Sequence, residues 1–521
     1  MRRRLGSPLL VGAVAVGLTL TACASGASDE AAPDLEARLV VAEPAQPPNL
    51  DPMVSTATAT SSVAVNVFET LLTTDENLEI QPMLAERFEV SDDGASYTFH
   101  LRDGVKFHDG TSLDSADVVA SMERWSRLSG PGQSYFTGAS WTAVDELTVR
   151  LDLETPSFGV PLALSGSREQ FAAVMPSEVI EAASDEPVTD IIGTGPFVFV
   201  DWVSDQRLTL DRFDDYQPAE GARSGRAGDR TAEVAGIDIK FVPDASTRIL
   251  GLQTGEYDVV SEVPYDSATQ VLDDDSLRAG SYPVTLLNLY YNKAQGLFAD
   301  VEARRAVDTA LDREPIMTAA VADPQFFTIT PSVMLEEQRG QWDSDAGADR
   351  FNLADPAKAK ELLAEAGYTG GPLRMITTRD YVEAYNSAIV VIEQLKAIGM
   401  DVSLETYDWP TFTEVRDDPS AWDLAIIPNT AKADPGSLVF TRKDFAGSTN
   451  SPELDAILAE YRASATLEEA QSHYDEFQGW FYDYLPVSKL GDADTIFATT
   501  DRVEVTTTDD GIVWWSTSVS E

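Results

Sequence analysis

Between residues 355 and 405 the chain alternates helix, glycine and strand, and that rhythm leaves few folds open. Asp355 precedes Pro356, a residue suited to a first helical turn, with Leu362 and Leu363 inside the helix and Gly367 at its end. Ala388, Val391, Ile392, Leu395 and Ile398 repeat at helical spacing and stop at Gly399. Met400, Val402 and Leu404 then alternate with Asp401, Ser403 and Glu405, the period of a strand. Helices and strands in this order form a sheet layered with helices, so the predicted fold class is α/β.

The first half carries a different set of signals. A β-like run at Leu39–Ala42 is stopped by Pro44, Pro47 and Pro48, and Asp51-Pro52 favours a turn. Ser61 or Ser62 is the expected cap of a helix carrying Val65, Phe68, Leu71 and Leu72 on one face. Arg87–Val90 and Tyr97–Leu101 alternate around Asp92-Asp93-Gly94, which predicts a hairpin. A second turn at Asp109-Gly110 leads to Asp114 and Asp117, spaced as a capping box for a helix burying Val118, Val119, Met122 and Trp125. No internal repeat is visible, and Ala219–Asp229 reads as a surface loop.

Cys23 is the only cysteine in 521 residues, so no internal disulfide can form. Arg2-Arg3-Arg4, an apolar run from Pro8 to Leu20, and Leu20-Thr21-Ala22-Cys23 make the pattern of a secretory leader ending in a lipidation site. Residues 1–22 are the expected leader and 23–35 a flexible tether, rich in Ala, Ser, Gly and acids. No later run reaches the ~20 apolar residues of a spanning helix. The expected address is outside the cytoplasmic membrane, held by lipid on Cys23, a Gram-positive surface rather than a periplasm. A net charge of −50 makes nucleic acid and anionic lipid unsuitable partners.

Leu84–Gly94, continuing through Tyr97–Arg102, Gly104–Gly110 and Asp114, resembles the signature of the extracellular solute-binding proteins of family 5, which feed peptide, nickel and related ABC importers. Gly193-Thr194-Gly195-Pro196-Phe197, Leu252–Asp258, Arg304–Arg313, Glu393–Gly399 and Trp422-Asp423-Leu424 resemble further blocks of that family in the same order. The resemblance implies a two-lobed periplasmic-binding-protein fold of type II-like form, with an extra subdomain in the first lobe. Lobe I comprises 36–80, 191–284 and 488–521, the extra subdomain 81–190, and lobe II 285–487. The crossings near Pro283–Leu289 and Pro486–Leu490 form the hinge. It implies a monomer without cofactor that captures a peptide or another small organic solute and hands it to membrane permease subunits with a cytoplasmic ATPase.

Peptide-binding relatives place an aspartate after the strand following Trp422-Asp423-Leu424, where a buried ammonium needs a carboxylate. Aligning Asp434-Pro435 on the family's acidic-Pro pair puts Ala431 at that position, while a slip of one or two residues would restore Asp434. Arg379 and Arg416 match positions that relatives turn toward a ligand carboxylate, a role suited to a guanidinium fork. Trp409, Tyr407, Tyr291, Asn292 and Asn429 fall at strand ends facing the expected cleft, and Ser55 and Thr56 follow the Asp51-Pro52 turn. Trp422 is assigned to the core.

The three histidines, His100, His108 and His473, have no metal-ligand spacing, and the first two belong to the hairpin region, so no metal site is expected, although a chelated metal remains an option as cargo. No G-x-S-x-G and no H-E-x-x-H occurs, and Cys23 is the only thiol, so nothing points to a hydrolase. A sugar, an opine or a metal chelate as solute, and a surface sensor that presents its ligand, are the competing readings.

Overall fold

The computed structural model describes residues 34–520 apart from 169, 509 and 510; the leader, Cys23 and most of the tether lie outside the described residues. One mixed sheet of eleven strands runs through the molecule. In order across it lie residues 401–407, 372–378, 424–430, 277–291, 487–500, 259–260, 38–43, 236–241, 207–212 and 197–203, with 327–328 paired to the fifth of these. At one end 372–378 runs parallel to 401–407 and to 424–430; toward the other, 38–43 runs parallel to 236–241 and 259–260.

Two long antiparallel strands, Leu277–Tyr291 and Val487–Thr500, join the halves. Leu277–Pro283 pairs with Asp494–Thr500 and Thr285–Tyr290 with Val487–Ala493, with a register shift between Pro283 and Thr285. Proline has no N–H for a ladder, which suits that irregular point. Leu39, Val41, Leu208 and Ile237 pack with Val503, Trp514 and Trp515 into one core, and Met375, Val391, Leu395 and Leu424 belong to another. A third, rich in aromatics, gathers Tyr290, Trp342, Trp422, Tyr461 and Trp480.

A four-stranded antiparallel sheet stands apart, ordered 85–90, 96–101, 148–152 and 140–145. Its hairpin turns at Gly94, whose φ of 67° an L side chain rarely adopts. Helix Ser115–Leu128 packs on it, and both hydrogen bonds of the Asp114–Asp117 capping box are formed. Asp355 caps helix Pro356–Glu365, and Gly399, at φ 97°, follows the end of helix Val382–Ala397. Trp422 is buried in the core, as its position predicts.

Two expectations fail for tertiary reasons. The helix expected to run through Leu72 spans only Thr58–Ala64, with Ala57 rather than a serine at its N-cap, and Leu72 begins a strand. Asn66 Nδ2 donates to the Ser62 carbonyl at 2.8 Å, taking an acceptor that another turn would use. The carbonyls of Val67 and Asn66 accept instead from Gly195 and Phe197 backbone N–H at 2.9 and 3.0 Å. Glycine is needed there, because a Cβ on Gly193 would collide with the Val67 carbonyl. The second fails only in part: Ala219–Asp229 is a loop exposed at Glu220–Ala222, but it is anchored rather than loose where Arg226, Ala227 and Gly228 are buried and Arg226 N–H donates to the Thr74 carbonyl at 3.1 Å.

Candidate functional site

Between the lobes lies a cavity of about 650 Å³, well inside the ~300–1,000 Å³ range of small-ligand sites. Its first wall comes from Thr56, Thr74, Trp125, the short helix Gly130–Tyr135, Leu162, Ala163, residues 165–168, Gln170, Phe171 and Arg226. Trp125 Nε1 donates to the Gln170 carbonyl at 2.6 Å, and Gln170 Nε2 to the Val54 carbonyl at 3.2 Å, which fixes that segment against the Asp51-Pro52 loop. Arg226 donates to Thr74 Oγ1 at 2.7 Å.

The opposite wall is the loop after strand Leu424–Thr430, with Gln338, Gln341, Arg442 and Arg462. Three side chains brace it. Gln338 Nε2 donates to the Lys432 carbonyl and Trp342 Nε1 to that of Ala433, each at 2.9 Å. Tyr461 donates its hydroxyl to Asp434 Oδ1 at 2.5 Å, and Asp434 also accepts from Gly436 N–H at 3.0 Å and Ser437 Oγ at 2.9 Å. Burial first, then the neighbouring Asp434 carboxylate, drive the hydroxyls of Tyr135 and Tyr461 well above the usual phenol range.

Four contacts run between these two parts of the chain. Phe158 N–H donates to the Ser464 carbonyl at 2.8 Å, and its ring meets Tyr461 edge-on with centroids 5.1 Å apart. Arg168 donates to the Ala431 carbonyl at 3.4 Å, and Gln341 Nε2 to the carbonyl of Leu78.

Of the nine ligand contacts expected from sequence, Thr56 lines this cavity; the other eight are not part of its lining. Ser55 is buried, bonded through Oγ to Thr60 Oγ1 at 2.8 Å. Tyr291 is fully buried with its hydroxyl 2.5 Å from Ser488 Oγ, and Asn292 donates to the carbonyls of Pro419 and Trp422. Asn429 Oδ1 accepts from Tyr290 hydroxyl at 2.7 Å and from Asn288 at 3.1 Å. Tyr407 donates to Glu405, while Trp409 stacks on Phe412 and meets Tyr381 edge-on. Arg379 is exposed over the Tyr385 ring, and Arg416 lies over Phe445 and pairs with Asp417 at 3.0 Å.

His108 bridges the signature hairpin region to the Gly193–Pro196 turn. Its Nε2 lies 2.9 Å from the Gly195 carbonyl and its Nδ1 accepts from Gly193 N–H at 3.2 Å, so both ring nitrogens are engaged. Burial pushes it down to about 4, and it stays neutral. Among the described residues, Glu460, His473 and Glu476 bring metal-capable atoms within 4.8 Å of one another, and none of them lines the cavity.

A cavity between two walls from distant parts of the chain, in a fold whose halves share a pair of long strands, is the architecture of a two-lobed binding protein. The chain belongs to the family described as bacterial extracellular solute-binding proteins, family 5 Middle, which residues 79–448 match. It is 31% identical over 466 residues to a probable peptide ABC transporter periplasmic-binding protein of Sinorhizobium fredii, covering 85% of this chain and 86% of the relative. It is 27% identical over 413 residues to a glutathione-binding protein of Escherichia coli, covering 76% and 73%. The fold matches that of an ABC transporter substrate-binding protein of Listeria monocytogenes with a TM-score of 0.82 at 20% identity, over 94% of this chain and 100% of the other. The chain is a solute-binding protein of extracytoplasmic type, and its family serves transport without catalysis.

Proposed function

We propose that this protein captures peptide-like solutes in the cavity between its lobes and delivers them to the membrane permease of an ABC importer driven by a cytoplasmic ATPase. The observation that carries this reading is the 650 Å³ cavity, whose two walls come from residues 56–226 and 338–462. A solute touching both walls binds the shut form better than the open one, and a permease can distinguish the two forms. The peptide and glutathione specificities of the two relatives support the solute class.

The proposed division is lobe I at 36–80, 191–284 and 488–521, an extra subdomain at 81–190 and lobe II at 285–487, hinged near Pro283–Leu289 and Pro486–Leu490. The proposed contacts are Thr56 and Trp125 from one wall and Gln338, Lys432 and Arg462 from the other. The mature protein works as a monomer, tethered by lipid on Cys23 at a Gram-positive surface. Deleting the gene should abolish uptake of labelled short peptides, and the intact gene should restore it. Unchanged uptake with altered signalling would replace import by a sensor role.

A further inference from the structure

Away from the cavity, helices Pro452–Ala463 and Leu467–Tyr484 pack against each other and bring three metal-capable side chains together. Glu460 comes from the first helix; His473 and Glu476, three residues apart, come from one face of the second. His473 Nδ1 lies 3.8 Å from a carboxylate oxygen of Glu460 and 3.6 Å from one of Glu476. The adjacent Tyr461, Tyr474 and Phe477 are buried in the aromatic core, so the backbone carrying the three ligands is fixed.

An ordinary ion pair does not account for this arrangement. A charged N–H bonded to a carboxylate closes to ~2.7–2.9 Å, and neither glutamate is that near the ring. Nδ1 is nonetheless shut off from solvent and has no hydrogen-bond partner among the described residues. Nor does either carboxylate pair with a Lys or Arg among the described residues, whereas Asp455 and Asp483 on the same two helices pair with Lys443 and Arg350. Two negative groups thus converge on one enclosed ring nitrogen with no cation to hold them there.

We propose that Glu460, His473 and Glu476 bind a divalent first-row metal ion, of the zinc, nickel or cobalt kind, which clips the two helices together. One imidazole with two carboxylates suits these ions, while calcium and magnesium favour all-oxygen sets. Bonds of ~2.0–2.2 Å in a tetrahedral shell hold ligand atoms ~3.3–3.6 Å apart, so small rotations of the two exposed glutamates complete the site. With the ring neutral, the two carboxylates balance the charge of the ion, and water takes the remaining position. The turn between the helices carries Ser464, whose carbonyl accepts from Phe158 N–H, so the clip stiffens a segment that touches the proposed extra subdomain.

The test is titration calorimetry of the metal-stripped protein with ZnCl2 in about 0.15 M NaCl, where weak surface attraction is screened. Expected are one zinc ion per chain, released by chelator, and a thermal midpoint that rises on loading. His473→Gln and Glu460→Gln should each weaken zinc about tenfold or more and remove that rise, while melting like the wild type when stripped. Cobalt in place of zinc should give visible absorption bands that His473→Gln alters, which reports ligation by the ring. No zinc binding, or equal binding by wild type and both variants, overturns the site. Loading that leaves the thermal midpoint unmoved overturns the clip. Should His473→Gln fail to fold, the exposed Glu460→Gln decides alone.

Discussion

Arg124 reaches Asp51 across 73 residues of sequence to form an ion pair of 2.7 Å in which neither side chain is more than 1% exposed. The pair is fully dressed. Asp51 also accepts from the N–H groups of Met53 and Val188 at 2.9 and 3.0 Å, and Arg124 donates to the carbonyls of Ser184 and Glu186. Asp51→Ala would strand the guanidinium in the interior, at a cost of about 3–5 kcal/mol. A denaturant midpoint should show the loss, and Asp51→Leu with Arg124→Met should recover much of it.

Phe158, in the proposed extra subdomain of lobe I, places its ring in the aromatic core around Trp342 and Tyr461. On the proposed lobe division these contacts bridge the lobes and would part on opening. Phe158→Ala should favour the open form, lower affinity for the carried solute about tenfold or more, and enlarge the radius of gyration in solution scattering. Equal scattering and equal affinity would remove Phe158 from the latch.

Arg462 lines the cavity and Arg379 does not. Arg379→Ala should leave solute affinity within about twofold, whereas Arg462→Ala should reduce it about tenfold. Calorimetry on both variants with the same solute decides the matter.

Burial, together with the charge of Glu262, pushes Glu43 and Glu383 up to about 7 from the ordinary 4.5. The Ser261 hydroxyl and Arg248 pull Glu43 partly back. Because the folded-state values lie above those of the unfolded chain, the stabilisation they give is complete below pH 4.5 and is lost as pH rises through 7. The unfolding midpoint of the wild type should fall across that window more steeply than that of a Glu43→Gln, Glu383→Gln double variant. Parallel curves would rule these two groups out.

Cys23→Ala should move the protein from the membrane fraction into the medium and leave solute affinity unchanged. Retention of the variant on membranes would contradict the lipid tether.

The elements most legible in the sequence were those set by neighbours along the chain. The Asp114–Asp117 capping box, Pro356 at a first turn and Gly399 after a helix each act within a few residues, so their pattern is local. The helix beginning at Thr58 was overestimated because its end is decided by Gly193–Phe197, more than a hundred residues away. The site suffered most from this distance. Arg168, Arg226, Lys432 and Arg462 come from four separate segments, and Arg226 sits in a glycine-rich stretch that reads as exposed loop. Tyr291 and Asn292 do stand at a strand end, but the pleat and the turn there direct both into the protein interior.

The two long strands carry a consequence for hydrogen exchange. A jaw hinged on loops exposes its pivot amides to solvent whenever it opens. The proposed hinge is instead a ladder, with Leu287 opposite Gly491 and Leu289 opposite Ser488 on either side of a register shift, inside an eleven-stranded sheet. If the lobes turn there by changing the twist of that ladder, its hydrogen bonds are kept, and the amides of Thr285–Tyr290 should be among the slowest in the molecule to exchange.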